Sequence, residues 1–556
     1  MIIELIGDIF MPILLASIIN SAERNELTEL MSIGIAGLMI GIILIMLVGG
    51  VGGAYFGAKA SVNFATDLRK DIYSKVQKFS FSNIDKFSTG SLVTRMTNDV
   101  TQLQNFVNML LRMALRAPGM MIGGIIMAIA LKPSLSLVLA VTMPMMIVVV
   151  LVLIKIGFPR FGIMQKKIDK LNSTVRENVT NVRVVKSFVR EDYQIEKFQH
   201  ANSDLKESGM RAVKVVIWMV PVMNLFMYVT VIAVIWFGSG IVLSGDMPVG
   251  DLSAFVAYTT QILSSLMMIT MLLMSTSRAM ASGKRICEVL DEKVELTDTE
   301  AAYPEKRIEN GDIEFRNVGF RYYKNSEEKV IDNINLKIKS GSTVGIIGST
   351  GCGKTTLVSM IPRLYDADEG EILVDGVNVK DYSLVNLRDG VGIVLQKNLL
   401  FSGTIADNLR WGNDSATDEE IRRASEFAAA DRFISTFKDG YETLLDKGGT
   451  NLSGGQKQRV CIARALIKKP KILILDDSTS AVDTATERQI QHALSEELAD
   501  CTKIIIAQRI NSVKNAEQII VMNDGKITGV GTHEQLLDEN AEYSEIYYSQ
   551  MDKKEA

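Results

Sequence analysis

Hydrophobic and polar positions divide this chain into two unlike halves. Up to about residue 283, long apolar runs follow one another with polar connections between them; beyond about residue 305, short β-like runs alternate with glycine turns and amphipathic helical stretches. A bilayer core takes about 20 largely apolar residues per helix. Five runs reach that length, roughly 31–58, 113–131, 134–158, 215–243 and 252–275. A sixth, Ile2 to Ile19, carries Glu4 and Asp8 and has no basic segment before it, so it does not read as a signal peptide. It is expected to be the outer part of a first spanning helix whose inner part is missing from this sequence. The pattern predicts a membrane domain over 1–283, a linker over 284–306 and a soluble domain over 307–550.

Charge orients the membrane half. The connections Lys59 to Arg112 and Lys155 to Lys214 are rich in Lys and Arg, which places them in the cytoplasm, while the short connections near 20–30, 132–133 and 244–251 face outward. Both inner connections are longer than a turn requires, so the helices are expected to continue into the cytoplasm and present their tips to a soluble domain. A net charge of −4 gives no basic footprint for nucleic acid. Four scattered cysteines, with neither metal spacing nor a disulfide framework, suit a reducing cytosol. Methionines cluster at Met143, Met145, Met146 and at Met267, Met268, Met271, Met274, which fits either ordinary helix packing or an adaptable apolar pocket. Arg112 and Arg116, one helical turn apart, would line a cavity for anionic or amphiphilic solutes or snorkel to headgroups.

The soluble half carries the chemistry. Thr343-Val-Gly-Ile-Ile347 reads as a strand and runs into Gly348, Ser349, Thr350, Gly351, Cys352, Gly353, Lys354 and Thr355, followed by Thr356. A strand that breaks into glycines ahead of a helix aims backbone N–H groups at one point, which suits polyphosphate. Lys354 would reach the β- and γ-phosphates and Thr355 would ligate Mg²⁺. Cys352 is a passenger in this loop, where alkylation would block nucleotide. Upstream, Val318 to Tyr322 offers an aromatic ring for adenine. Downstream, Val394-Leu-Gln396 ends a strand, with its amide available to Mg²⁺ or the attacking water. Leu452-Ser453-Gly454-Gly455-Gln456 opens a helix and forms a second anion-binding helix start. Ile472 to Asp476 and Asp477 read as a buried strand ending in carboxylates, Asp476 holding Mg²⁺ through water, and Ser480 to Asp483 follows.

With these motifs in this order, the chain resembles the ATP-binding cassette (ABC) transporters, in particular exporters with six spanning helices fused ahead of the cassette. The resemblance implies an α-helical polytopic membrane domain joined to an α/β P-loop cassette with a helical subdomain, lying in the cell membrane with the cassette in the cytoplasm. It extends to Thr89–Asp99 and Val184–Glu191, which look like the family's inner connections whose short transverse helices dock on the cassettes. It further implies ATP and Mg²⁺ as cofactors and a second half-transporter as partner. Each ATP would then lie between one chain's phosphate loop and the other's Ser453-to-Gln456 helix start.

Two positions depart from the family pattern. Asp477 stands where the family has a glutamate that polarises the attacking water, and Gln508 stands where it has a histidine at the γ-phosphate. A carboxylate about an ångström short can cost about a hundredfold in rate, and Gln cannot become a cation. The expectation is a site that binds ATP but hydrolyses it poorly, within a heterodimer resembling bacterial multidrug exporters with one degenerate site. A slow homodimeric exporter of amphiphiles and a non-transporting ATP-gated regulator are the alternatives.

Overall fold

The computed structural model describes residues 1–297, 301–324, 327–477 and 484–551. The chain divides into two compact units, Met1–Val76 with Gly90–Asp291, and Gln77–Thr89 with Glu292–Ala556.

The first unit is helical: α1 (Ile2–Glu23), α2 (Glu29–Gln77), α4 (Thr89–Thr94), α5 (Val100–Met113), α6 (Arg116–Leu131), α7 (Pro133–Thr180), α8 (Val182–Ser187), α9 (Glu191–Leu243) and α10 (Val249–Leu290), with α3 (Phe81–Phe87) falling in the second unit. Six stretches are long and apolar enough to cross a bilayer. Among them is α1, whose 22 residues extend about 33 Å, where an incomplete span was expected. α2, α7 and α9 run 49, 48 and 53 residues, well beyond the hydrocarbon thickness, as the length of the inner connections required.

Close packing rather than apolarity holds these helices together, because lipid is as apolar as their side chains. α10 packs against α1 and α6, and α7 runs along α9. At Gly250 a Cβ would lie 2.3 Å from the Ala16 carbonyl, so only glycine allows α10 to approach α1 there. Asn20 joins the same contact, accepting from the Gly250 N–H at 2.8 Å and donating to Asp251 at 2.9 Å. Arg116 neither snorkels nor stands free: it pairs with Asp8 at 3.0 Å and Glu4 at 3.6 Å, and with Arg112, Met109, Met113 and Met268 it lines a cavity of about 390 Å³. Met146 and Met223 are buried in a packed cluster that Met143 and Met267 join, while Met145 and Met271 are exposed.

The Thr89–Asp99 string forms α4 and a π-helical turn (Arg95–Asp99) at the base of the returning helix. α3 lies just upstream. α3 is capped reciprocally by Ser80 and Asn83 and held to its own unit by Asn83 Nδ2 on the Lys293 carbonyl (3.0 Å), Lys86 on Glu292 (2.7 Å) and Tyr365 Oη on Asp85 (3.0 Å). The second connection carries α8 at its tip, followed by Phe188 and Val189, which are 73% and 81% exposed.

The second unit is built on two sheets. β1 (Ile313–Phe320), β2 (Ile331–Ile338), β4 (Glu369–Val374) and β5 (Val377–Asn378) form an antiparallel sheet in the order β2-β1-β4-β5. β3 (Thr343–Gly348), β6 (Val391–Val394), β9 (Ile472–Asp476), β10 (Thr502–Ile506), β11 (Gln518–Asn523) and β12 (Lys526–Gly531) form the main sheet, β12-β11-β3-β10-β9-β6, parallel except for β12. A short pair, β7 (Gly403–Thr404) and β8 (Leu444–Leu445), closes the helical subdomain. The helices are α11 (Lys354–Ser359), α12 (Leu384–Asp389), α13 (Ile405–Arg410), α14 (Asp418–Phe427), α15 (Asp431–Ile434), α16 (Gly454–Ile467), α17 (Thr484–Glu497), α18 (His533–Glu539) and α19 (Ala541–Met551). The main sheet is buried on both faces, as its near-continuous Ile and Val runs require. Ile472, Ile474, Ile504 and Ile506 pack toward the antiparallel sheet, and Leu473, Leu475 and Ile505 toward the helices.

Gly250→Val is expected to lower the thermal midpoint of the purified protein by an amount corresponding to about 1–3 kcal/mol of overpacking. Gly34→Val is the control, since a Cβ there meets nothing within 4 Å. Equal midpoints for the two variants would refute the close approach of α1 to α10.

Candidate nucleotide site

Parallel strands deliver their carboxyl ends to one edge, and the register shows which loops meet there. Ile346 pairs with Ile506, Ile506 with Asp476, and Val394 with Leu475. The loops after β3, β9, β10 and β6 therefore emerge side by side, bringing together the Gly348 loop, Asp476 with Asp477, Gln508 and Gln396. Such an edge is where open α/β sheets bind ligands. β6 and β10 stop at Val394 and Ile506, so Gln396, expected at a strand end, and Gln508 both sit on loops; Gln396 is exposed.

The phosphate loop owes its shape to three glycines. Gly348, Gly351 and Gly353 have φ of +154°, +87° and +95°, and backbone N–H groups in such turns form an anion-binding concavity. Gly348 and Gly353 also satisfy the fold, because a Cβ would meet the Met522 carbonyl at 2.0 Å or the Val330 carbonyl at 2.9 Å. A Cβ on Gly351 would meet nothing within 4 Å among the described residues. Lys354 Nζ lies at the centre of the loop, donating to the carbonyls of Gly348 (2.8 Å) and Ser349 (2.7 Å). Ser349 Oγ approaches Asn523 Oδ1 at 3.5 Å. The Cys352 thiol is turned inward, 3% exposed and 3.6 Å from Lys354 Nζ, which shields it from alkylating reagents.

Thr355 Oγ1 lies 2.9 and 3.1 Å from the two carboxylate oxygens of Asp476. Asp476 is 2% exposed. Burial pushes its carboxyl above the usual range, the hydrogen bond from Thr355 opposes that, the charge of Asp477 adds to it, and that of Lys354 opposes it. A hydroxyl and a buried carboxylate suit a hard cation such as Mg²⁺. Among the described residues no group of three His, Cys, Asp or Glu could hold an ion, so any such cation would rely on phosphate oxygens as well.

Asp477 occupies the left-handed region, φ +46°, with its N–H on the Ile506 carbonyl at 3.0 Å. Its Oδ2 accepts from Gln508 Nε2 at 2.9 Å. The two positions that depart from the family pattern are thus bonded to each other. Ser480 to Asp483 lies outside the described residues.

Tyr322 follows β1. Its ring packs edge-on against Phe320 and Tyr365, its hydroxyl meets Thr356 Oγ1 at 2.9 Å, and it remains 44% exposed. With Tyr323, Lys329, Asp332, Gly351 and Asp524 it borders an open groove of about 840 Å³ beside the phosphate loop, large enough for a nucleoside.

The L-S-G-G-Q string is the start of α16. Ser453 Oγ accepts from the Gln456 N–H at 3.3 Å, and Gln456 Oε1 accepts from the Ser453 N–H at 2.9 Å, a reciprocal capping box. Gln456 therefore acts first as a cap. A Cβ on Gly454 would meet nothing within 4 Å, so among the described residues no contact requires glycine there. Two residues were missed by the sequence reading. Tyr365 supports Tyr322, and buried Gln458 on α16 donates to the Asp477 carbonyl at 3.4 Å; neither belongs to a motif with a chemical signature.

Comparison with known proteins agrees with this architecture. Residues 1–266 match the ABC transporter transmembrane region and residues 331–480 match the ABC transporter cassette. The chain is 39% identical to the uncharacterized ABC transporter ATP-binding protein YfiB of Bacillus subtilis, over 99% of this chain and 95% of that one. It is 34% identical to the ATP-dependent lipid A-core flippase of Desulfotalea psychrophila, over 87% and 84% of the two. A bacterial Atm1-family ABC exporter solved with ATP bound shares its fold, with a TM-score of 0.81 and 23% identity over 99% and 97% of the chains. The chain belongs to the ABC transporter family, as a multi-pass cell-membrane chain with a fused, cytoplasmic ATP-binding cassette.

Proposed function

We propose that this chain is one half of a heterodimeric exporter of amphiphilic molecules, and that its own ATP site binds nucleotide and hydrolyses it slowly. The observation that carries the reading is the 2.9 Å hydrogen bond between Asp477 and Gln508. A base that polarises water needs a carboxylate aimed at the water. Here the shorter carboxylate is engaged by a neutral amide at the position that would otherwise offer a cation to the γ-phosphate. The binding elements are whole: the Gly348–Gly353 backbone, Lys354, Thr355 and Thr356, Asp476 and Gln396 for Mg²⁺, and Tyr322 at the base.

The start of α16 is whole as well. Ser453, Gly454 and Gly455 would close over the nucleotide held by a partner, and the open space at Gly454 fits an approach from outside the chain. This chain then acts as a clamp for a productive site whose glutamate and histidine belong to the other subunit. Phe188 and Val189, exposed at the tip of the second connection, suit docking on a cassette. An amphiphile as cargo is supported by the Arg112 and Arg116 cavity and by the lipid flippase among the relatives.

Asp477→Asn separates this reading from a homodimer, and two further variants test the clamp and the cation site. In the reconstituted pair, Ser453→Arg is expected to lower kcat for ATP about a hundredfold or more, matching the roughly 10²–10³ that loss of a preorganised donor costs. Asp477→Asn should change kcat by no more than about twofold. If the chain alone turns over at a normal transporter rate and Asp477→Asn abolishes that rate, the heterodimer reading fails. Thr355→Val tests the cation site. It should weaken binding of Mg-ATP about tenfold while leaving ATP in chelator unchanged, as read by equilibrium binding; equal loss in both conditions would remove Thr355 from that role.

A further inference from the structure

The last helix reaches the segment that carries Gln508. β10 ends at Ile506, and the Ala507 N–H makes the final ladder bond to the Ile346 carbonyl at 3.2 Å. Beyond it, the side chain of Gln550 spans the backbone: its Nε2 donates to the Gln508 carbonyl at 2.8 Å and its Oε1 accepts from the Ile510 N–H at 3.0 Å. One planar amide thus replaces the strand partner that this tripeptide lacks, and closes a two-point clasp over it.

The clasp has a firm base. Tyr543, Ile546, Tyr547 and Gln550 share one face of α19 by their spacing. Tyr543 is fully buried with its hydroxyl 2.7 Å from His533 Nδ1, and Ile546 and Tyr547 pack on the cassette core. At the helix start Glu542 accepts from Asn523 Nδ2 at 2.8 Å and Thr528 Oγ1 at 2.6 Å, and Asn523 is the residue that Ser349 of the phosphate loop approaches. α19 is therefore tied to both sides of the nucleotide site.

We propose that Gln550 is a positioning residue for the γ-phosphate side of this site. It fixes the backbone of Gln508 and, through it, the side chain that meets Asp477. The assignment goes beyond the heterodimer reading and does not require it, since the clasp holds the segment whether or not hydrolysis follows.

Hydrogen exchange on the intact transporter with ATP tests the clasp. Two neutral hydrogen bonds at their usual net strength correspond to roughly tenfold in a local opening equilibrium. Gln550→Met keeps the bulk and removes both bonds, so exchange across 508–512 should quicken about tenfold while β3 and the start of α16 are unchanged. Photolabelling of this chain with 8-azido-ATP after a chase tests the role. Retention of nucleotide should shorten about fivefold in Gln550→Met, and the same change should add nothing when Gln508 is already alanine. Unchanged exchange would overturn the clasp. Faster exchange with unchanged retention, or an equal further loss in the Gln508→Ala background, would leave Gln550 a packing residue and overturn the assignment. Retention is read on bound nucleotide, so failure here is distinguishable from failure of the weak-hydrolysis reading.

Discussion

The parallel register of β3, β10 and β9 is the constraint on which the rest of the cassette depends. Each strand alone is an ordinary apolar run. Held in register, with Ile506 beside both Ile346 and Asp476, they bring a cationic loop, a buried carboxylate and an amide to a common edge. The antiparallel sheet and the helical layer supply the two apolar faces that a parallel sheet must bury. The site is thus a by-product of burial: its polar groups stand where the strands leave the core. Thr355 then ties the Asp476 carboxylate to the phosphate loop, so that two loops distant in sequence behave as one surface.

The membrane half obeys a different solvent. Apolar side chains gain nothing there by leaving lipid, and its specific contacts are the close approaches and the few polar pairs. Gly250 against the Ala16 carbonyl, Asn20 against Asp251, and Arg116 against Asp8 and Glu4 all fasten α1. Helices that continue past the bilayer carry this rigidity outward to short tips such as α8.

Much of this was legible in the residues. Long apolar runs declare spanning helices because a bilayer admits little else, and the glycine loop declares itself because only glycine adopts those backbone angles. The junction at Thr89–Asp99 was less legible, since short-range periodicity does not show that α3, just upstream, is the helix held to the cassette unit. The Asp477 and Gln508 substitutions could be read singly, but not their hydrogen bond, which depends on neighbouring strand ends 31 residues apart in sequence. Gln550 gave no signal at all, for an amide that clasps a backbone has no partner type to betray it.

The capping box at Ser453 and Gln456 has a broader consequence. Its bonds are local to one helical turn, so the glycine surface beside it takes shape when the chain folds, before any second subunit arrives. Little ordering entropy is then left to oppose association. A surface so ready, and so plain in chemistry, would accept the triphosphate of any related cassette. In the proposed pair, discrimination between correct and incorrect mates then rests on surfaces other than this one.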